Sequence, residues 1–151
     1  MPKGLKATSS PIQISALVTE TAADTFTSET IDLTLNVLDN EVFVVTQVNI
    51  DVDAPDAAVG ATTLVDASLS VTARTTVGSI ANQNVLGAAN RSIIGHAGVT
   101  GYAFDREDPL FAAVSEDYLG IIATNNAFLN IEGLGNGNAK VARCRIYGYR
   151  A

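Results

Sequence analysis

Residues 31–37 have the sequence IDLTLNV, in which every second side chain is apolar. A period of two places successive side chains on opposite faces of a β-strand, so this pattern predicts a strand with one buried face. Residues 47–52, QVNIDV, alternate in the same way. A shift of one residue would expose every apolar side chain of both strands, so the register is expected to be well defined. The side chains predicted to face the core are Leu33, Leu35, Val48 and Ile50.

The rest of the chain carries the same kind of signal. Short segments rich in β-branched residues recur with turn residues between them, at residues 12–18, 67–74, 92–94, 99–104, 118–124, 128–132 and 140–150. Several short strands at such spacing are typical of a sandwich or barrel. The predicted fold is therefore all-β, an antiparallel, jelly-roll-like β-sandwich of about eight strands.

Three connections between these strands are specific enough to interpret. Asp39-Asn40 separates two alternating segments, which predicts a β-hairpin. The glycine-rich run 133–138, GLGNGN, lacks the lysine of a phosphate-binding loop and predicts a second hairpin, with glycine and asparagine supplying positive φ. Residues 75–89 predict a long irregular loop. A helix of one or two turns is expected at 110–116, with Asp108 as its cap and Pro109 at its first position.

Length and composition limit the class of protein. The chain has 151 residues, of which 47% are hydrophobic and 17% charged, so it is too apolar to be disordered. No apolar stretch approaches the ~20 residues of a membrane-spanning helix. Residues 1–11 contain Lys3 and Lys6 but no apolar segment of a secretory signal, so folding in a host cytoplasm is expected. We expect a basic N-terminal arm at 1–11 and one β-sandwich domain at 12–151.

Few side chains suggest catalysis. His96 is the only histidine, and the sequence has no Gly-x-Ser-x-Gly motif that would supply a nucleophile. Cys144 is the only cysteine, which excludes an intrachain disulfide and a zinc site built from cysteines of one chain. A buried thiol is the expected role of Cys144. The sequence therefore predicts no catalytic residue, no cofactor and no enzyme.

Three aspartates, Asp51, Asp53 and Asp56, lie close together. Carboxylate oxygens suit calcium, so they are weak candidates for a metal site. The glycine and the final glutamate of an EF-hand are missing, and Pro55 indicates a turn at the end of a strand, where aspartates are common. No metal site is assigned on this basis, and both interpretations stay open.

Charge is distributed unevenly along the chain. All sixteen acidic residues lie between Glu20 and Glu132, whereas six of the nine basic residues lie outside that span. The two ends therefore carry +6, and the span between them carries −13. Such asymmetry is typical of a contact with nucleic acid or with an acidic partner, although ordinary surface charge is the alternative.

The last strand has two different faces. Ala142, Cys144 and Ile146 suit a core, and the intervening positions form a row of cations and aromatic side chains. Arginine and tyrosine are enriched at protein interfaces, and they also bind nucleic acid. An ordinary solvent-exposed face is the alternative. The predicted subunit-interface residues are Lys3, Lys6, Arg143, Arg145, Tyr147 and Tyr149, facing an acidic patch of a neighbouring copy or packaged nucleic acid.

These features together resemble a viral capsid or virion-surface protein of the single jelly-roll kind. The resemblance covers the whole chain: a short basic arm, about eight strands, long loops of small residues such as 75–89, and a closing strand at 141–149. The frequent Ala, Thr, Val and Asn and the few charges resemble structural proteins of bacteriophages. The resemblance implies a structural protein of the virion that self-assembles as a homo-oligomer into an icosahedral shell.

Two other functions remain open at this stage. A decoration or cement protein bound to another protein's capsid would have the same size and fold class. A carbohydrate-binding β-sandwich is the other, although such modules often use aromatic platforms and the chain has no tryptophan. Other virion proteins are possible additional partners.

Overall fold

The computed structural model describes the backbone of residues 3–96, 99–107, 110–111 and 118–151, and the side chains of 3–95 and 118–151. Within these ranges the chain forms ten β-strands and one 3₁₀ turn at Val37–Asp39. The strands are arranged in two antiparallel sheets that pack face to face around one apolar core. No helix among these residues is long and apolar enough to cross a membrane.

Each sheet contains five strands. The first has the order β1-β10-β3, with the short strands β7 and β8 both pairing with β3, and the second has the order β2-β9-β4-β5-β6. The strands of the first sheet are β1 (Ile12–Thr19), β3 (Phe43–Val52), β7 (Leu110–Phe111), β8 (Gly120–Ile122) and β10 (Val141–Arg150). The strands of the second sheet are β2 (Thr27–Asp32), β4 (Thr63–Ser70), β5 (Val85–His96), β6 (Val99–Glu107) and β9 (Asn126–Leu134).

The strand pairing is that of a jelly roll. β1 pairs with β10, β2 with β9, β3 with β8 and β4 with β5. The first half of the chain therefore pairs with the second half in reverse order, as one long antiparallel ribbon. Successive pairs of the ribbon lie alternately in the two sheets, which rolls it into a sandwich. The predicted antiparallel jelly-roll sandwich of about eight strands is confirmed, since these four pairs contain eight strands, to which β6 and β7 are added at the sides of β5 and β3.

The predicted burial of four side chains is also confirmed, but the strand predicted at 31–37 is shifted, because β2 spans Thr27–Asp32 and the chain leaves the sheet before Leu33 and Leu35. Leu33, Leu35, Val48 and Ile50 are 0%, 9%, 1% and 5% exposed. On β10, Ala142, Cys144 and Ile146 belong to the same core cluster, as the alternation predicts. Side chains from the facing strands β4 and β9 complete this cluster from the second sheet.

Both predicted hairpins are wrong, because the strands on either side of each turn belong to different sheets. β2 ends at Asp32, and Leu33 N–H still donates to the Asn125 carbonyl, directly before β9, at 2.9 Å. The chain then crosses to β3 in the other sheet. Asn40 has a left-handed conformation, as a turn requires, but the turn closes a crossover. The run 133–138 likewise connects β9 with β10 across the two sheets.

Other boundaries differ from the sequence prediction. Strand β5 begins at Val85, so the loop predicted at 75–89 ends five residues earlier than expected. Its alanines and glycine gave no strand signal, and pairing with β4 decides their conformation. The predicted helix is contradicted at Leu110 and Phe111, which form β7 because they pair with β3. The remaining positions of that prediction, 108–109 and 112–116, lie outside the described residues.

Candidate assembly surface

The end of the sandwich at which β10 begins is held by a buried carboxylate. Glu20 follows β1 directly and is 3% exposed. Its two oxygens accept hydrogen bonds from the backbone N–H groups of Thr25, Gly133 and Lys140, at 3.0, 3.0 and 2.9 Å. Thr25 lies in the β1–β2 connection, Gly133 near the end of β9 and Lys140 directly before β10. One side chain therefore joins the β1–β2 and β9–β10 crossovers.

The glycine-rich run completes this arrangement. The Asn136 side chain donates to the Leu64 carbonyl at 2.9 Å and accepts from the Asp56 N–H at 2.9 Å. The backbone N–H of Asn136 donates to the Asp24 carboxylate. Gly135 has a φ of +72°, in the left-handed region that favours glycine. The run 133–138 is therefore a structural crossover that fixes the start of β10.

The three candidate calcium ligands face cations of the same chain. Asp53 and Asp51 lie 3.0 and 3.8 Å from the guanidinium of Arg143. Asp56 lies 2.7 Å from the ammonium of Lys140. A hydrogen bond from Lys140, with further bonds from backbone N–H groups, holds the pKa of Asp56 below its usual range. Among the described residues, no three His, Cys, Asp or Glu side chains come together as a metal-binding group.

The outer face of the first sheet carries the predicted cation and aromatic row. Arg145 is exposed and lies between Ser15 on β1 and Asn49 on β3, with no acidic partner among the described residues. Tyr147 is half-buried between Gln13 and Gln47. A shallow depression of about 480 Å³ opens here, lined in part by Leu17, Arg143 and Arg145.

Tyr149 lies beyond an irregularity in the same strand. The register between β10 and β3 shifts at Tyr147/Gly148. A Cβ at Gly148 would collide with the Val44 carbonyl oxygen, so only glycine fits where the two backbones approach. Tyr149 pairs with Val44, which is fully buried but lies outside the main core cluster. The residue left unpaired by the shift is Thr46 of β3, so β10 itself alternates without interruption and Tyr149 stays on the face of Arg143, Arg145 and Tyr147.

Residues near the two ends of the chain lie side by side. Thr8 N–H donates to the Arg150 carbonyl, and Arg150 N–H donates to the Ser9 hydroxyl, both at 2.9 Å. The second half of the predicted arm is thus attached to its own domain. Lys3 and Lys6, on the distal half, are exposed.

The predicted interface residues of β10 form an extended row. Tyr149 and Arg150 lie at the end of β10 to which Thr8 and Ser9 attach, and Arg143 lies seven residues from Arg150, about 23 Å along the strand. Charges this far apart are screened from each other at physiological ionic strength, where the Debye length is ~8 Å. Since Lys140 and Arg143 also pair with aspartates of their own domain, the exposed cations without a described ion pair are Lys3, Lys6 and Arg145.

Cys144 and His96 are the two residues that the sequence singles out for possible nucleophilic or acid–base chemistry. Cys144 is buried, as predicted, and burial raises the pKa of its thiol to about 12. The thiol is therefore protonated and unreactive at neutral pH. His96 is the last residue of β5, and its side chain lies outside the described residues.

The outer face of the second sheet carries two carboxylates side by side. Asp66 on β4 and Glu132 on β9 are directly paired. Burial raises the pKa of Asp66 to about 6, and the charge of Glu132 contributes in the same direction. Like charges opposite each other in a sheet are destabilising.

Asp66→Asn should therefore stabilise the protein at neutral pH. The pKa of Asp66 is higher in the folded protein than in the unfolded chain, so ionisation costs more free energy in the fold. The free energy of unfolding therefore falls as pH rises from ~4 to ~6. Asp66 is partly solvated, so the expected gain at pH 7.5 is about 1 kcal/mol, with little gain at pH 4. Urea unfolding at both pH values measures it. Glu132→Gln should give a smaller gain, and equal stability of Asp66→Asn and the parent at both pH values would contradict the assignment.

Sequence inspection missed Glu20 and Asn136 as organising residues. The only signal for Glu20 is a single acidic residue directly after an uncharged strand. Asn136 stands in a run in which asparagine and glycine are common turn residues, so its buried contacts with Leu64 and Asp56 are invisible in the sequence. Both depend on loops that the crossovers bring together.

Comparison with known proteins adds little to this description. No family model matches the chain, and neither does any curated protein sequence. Among solved structures, a chain of Desmodium yellow mottle tymovirus matches 100% of this chain and 94% of its own length, with 9% sequence identity and a TM-score of 0.32. That TM-score is too low to support a conclusion about function.

Proposed function

We propose that the protein is a structural subunit of a virus particle that self-assembles into an icosahedral capsid shell. The observation that carries this proposal is the jelly-roll pairing of eight of the described strands, in which β1–β10, β2–β9, β3–β8 and β4–β5 form one rolled ribbon. The fold is typical of capsid, lectin and cupin domains. Closed symmetric assembly from one kind of subunit requires surfaces that recognise other copies, and loops and edges at both ends of a sandwich provide them.

The chemistry of the described residues favours the capsid over the two other functions of this fold. A metal-dependent cupin function requires a metal-binding cluster, and none occurs among the described side chains. A lectin function is disfavoured by the absence of tryptophan from the sequence. Exposed large apolar side chains, such as Leu17 at 53% and Leu134 at 58%, suit surfaces that become buried between copies.

The decisive experiment is the size of the native assembly. We expect purified protein to form closed particles many times the mass of the 15.7 kDa chain, seen by electron microscopy and light scattering. A decoration or cement protein, the alternative of the same class, would remain a small oligomer without the shell to which it binds. A monomer that binds a glycan in an array screen would replace the proposal by the carbohydrate-binding alternative.

The terminal residues belong to the same proposal. Residues 1–11 would act as an arm whose distal half, with Lys3 and Lys6, reaches a neighbouring copy, while Thr8 and Ser9 remain attached to Arg150. An acidic patch of the neighbour is the favoured partner, because the three exposed cations that have no ion pair among the described residues are few for packaged nucleic acid. Location in the virion, assembly in the host cytoplasm and origin in a bacteriophage complete the proposal, the last resting on composition alone.

Arg145→Glu tests the outer row of β10. The side chain is exposed and unpaired within the described region, so its reversal should leave the monomer's melting temperature within about 2 °C. If Arg145 contacts an acidic neighbour, assembly should weaken at least tenfold at low salt, with a smaller loss at high salt. Arg91→Glu is unsuitable as a control, since Arg91 pairs with Asp51. Gln47→Glu, on the same face, is the control, and equal assembly of Arg145→Glu and the parent at every salt concentration would remove the contact.

A further inference from the structure

Strand β1 lies at the edge of the first sheet. It pairs with β10 along its whole length, Ile12 to Thr19, and none of the described residues pairs with its other side. The backbone groups on that side can therefore accept another strand.

The register identifies which backbone groups are open. Glu20 N–H donates to the Lys140 carbonyl, and the β1–β10 register continues without a shift. Hydrogen-bonded and non-hydrogen-bonded pairs alternate in an antiparallel ladder, so the even-numbered residues of β1 bond to β10. The N–H and C=O groups of Gln13, Ser15, Leu17 and Thr19 consequently point away from the sheet.

This edge lacks the protection that natural sheets ordinarily have. The sequence of β1, IQISALVT, contains no charge and no proline. Its inner side chains Ile12, Ile14 and Ala16 pack on the core but remain only partly buried. By contrast, β2, an edge strand of the second sheet, carries Glu29 and Asp32. Charges on edge strands oppose pairing with another chain, so β2 is protected and β1 is not.

We propose that β1 pairs antiparallel with β1 of a second copy across a two-fold axis at Ala16, joining two sheets into one continuous sheet. A second copy is the occupant because an uncharged strand meets itself without like-charge repulsion, whereas a charged strand would not. With Ala16 on the axis, the open residues bond in the pairs Gln13–Thr19 and Ser15–Leu17, so all four on each strand are used.

The side chains support the same register. On the inner face, Ile14 lies opposite Val18 of the partner subunit, and the two Ala16 side chains meet at the axis, which buries apolar groups that are half-exposed in one subunit. Pro11, which has no N–H to donate, falls just outside the ladder, as does Glu20, whose carboxylate is already satisfied. The contact goes beyond the proposed shell, because a two-fold pair forms whether or not a shell closes.

A disulfide at the axis tests the register. In a non-hydrogen-bonded antiparallel pair the two Cα atoms lie about 4.5 Å apart, within the range that a disulfide spans. Ala16→Cys is made in a Cys144→Ala background, because Ala16 and Cys144 are direct neighbours across β1 and β10. Mild oxidation should give a covalent dimer on non-reducing gels. Leu38→Cys in the same background, at a position 92% exposed, controls for random collision and should stay monomeric on the gel.

A charge at the open edge tests the same contact independently. Ser15→Lys places an ammonium beside the axis, and Asn49→Lys places one on the same face of the interior strand β3. Sedimentation should show at least a tenfold weaker dimer for Ser15→Lys only, with equal melting of both variants at dilutions where they are monomeric. No covalent dimer from the Ala16→Cys variant, or equal association of the two lysine variants, would overturn the proposal. A dimer without larger particles would retain it and refute the shell.

Discussion

Ile31→Asp should lower the free energy of unfolding by about 4 kcal/mol, the largest effect expected of a single substitution on the predicted register. Ile31 is 4% exposed, on the inner face of β2. The substitution removes most of a buried aliphatic side chain and places a carboxylate among apolar neighbours. Since a domain of this size is stable by only ~5–15 kcal/mol, a large part of the stability is lost. Urea unfolding followed by circular dichroism measures the change.

Thr30→Asp is the matched control for this prediction. Thr30 is the preceding residue of β2 and is exposed, so the same charge one position earlier should change stability by less than about 0.5 kcal/mol. The pair therefore tests the register itself and not the tolerance of β2 for charge. Equal stability of the two variants would contradict the selective burial of Ile31, and a larger loss for Thr30→Asp would mean that the strand faces the other way.

Glu20→Ala should destabilise the protein by a similar amount, about 4 kcal/mol, although it removes no apolar contact. The backbone N–H groups of Thr25, Gly133 and Lys140 would lose their acceptor, and the last two are buried. A buried donor without an acceptor costs ~1–3 kcal/mol, and hydrogen bonds to a charged group are at the upper end of this range. Chemical unfolding gives the magnitude.

Two variants check this explanation. Glu20→Gln retains one acceptor oxygen and should lose about half as much stability as Glu20→Ala. Glu29→Ala, at an exposed position of β2, removes an acidic residue without a buried partner and should be nearly neutral. If Glu20→Ala and Glu29→Ala were equally stable, the carboxylate would not be what holds the β1–β2 and β9–β10 crossovers together.

The candidate surface was only partly predictable. The alternation in β10 correctly separates Ala142, Cys144 and Ile146 from Arg143 and Arg145, because residue order along a strand fixes which face each side chain occupies. Whether a cation is available to a partner depends on its neighbours from other strands. Arg143 meets Asp51 and Asp53 of β3 and its following loop, whereas Arg145 meets Ser15 and Asn49, and neither environment can be recognised from β10 alone.

The sequence by itself determined the fold class and the buried face of the strongly alternating segments, such as the second half of β3 and β10, because a two-residue period is a local property that burial of one face enforces. Only the tertiary structure decided which strands pair. The turns at Asp39-Asn40 and at 133–138 have hairpin composition, yet each connects strands of different sheets. A turn of a few residues can close a hairpin or cross between sheets. The choice depends on the partner of each strand, and in a jelly roll that partner lies far away, as β1 and β10 lie at opposite ends of the chain.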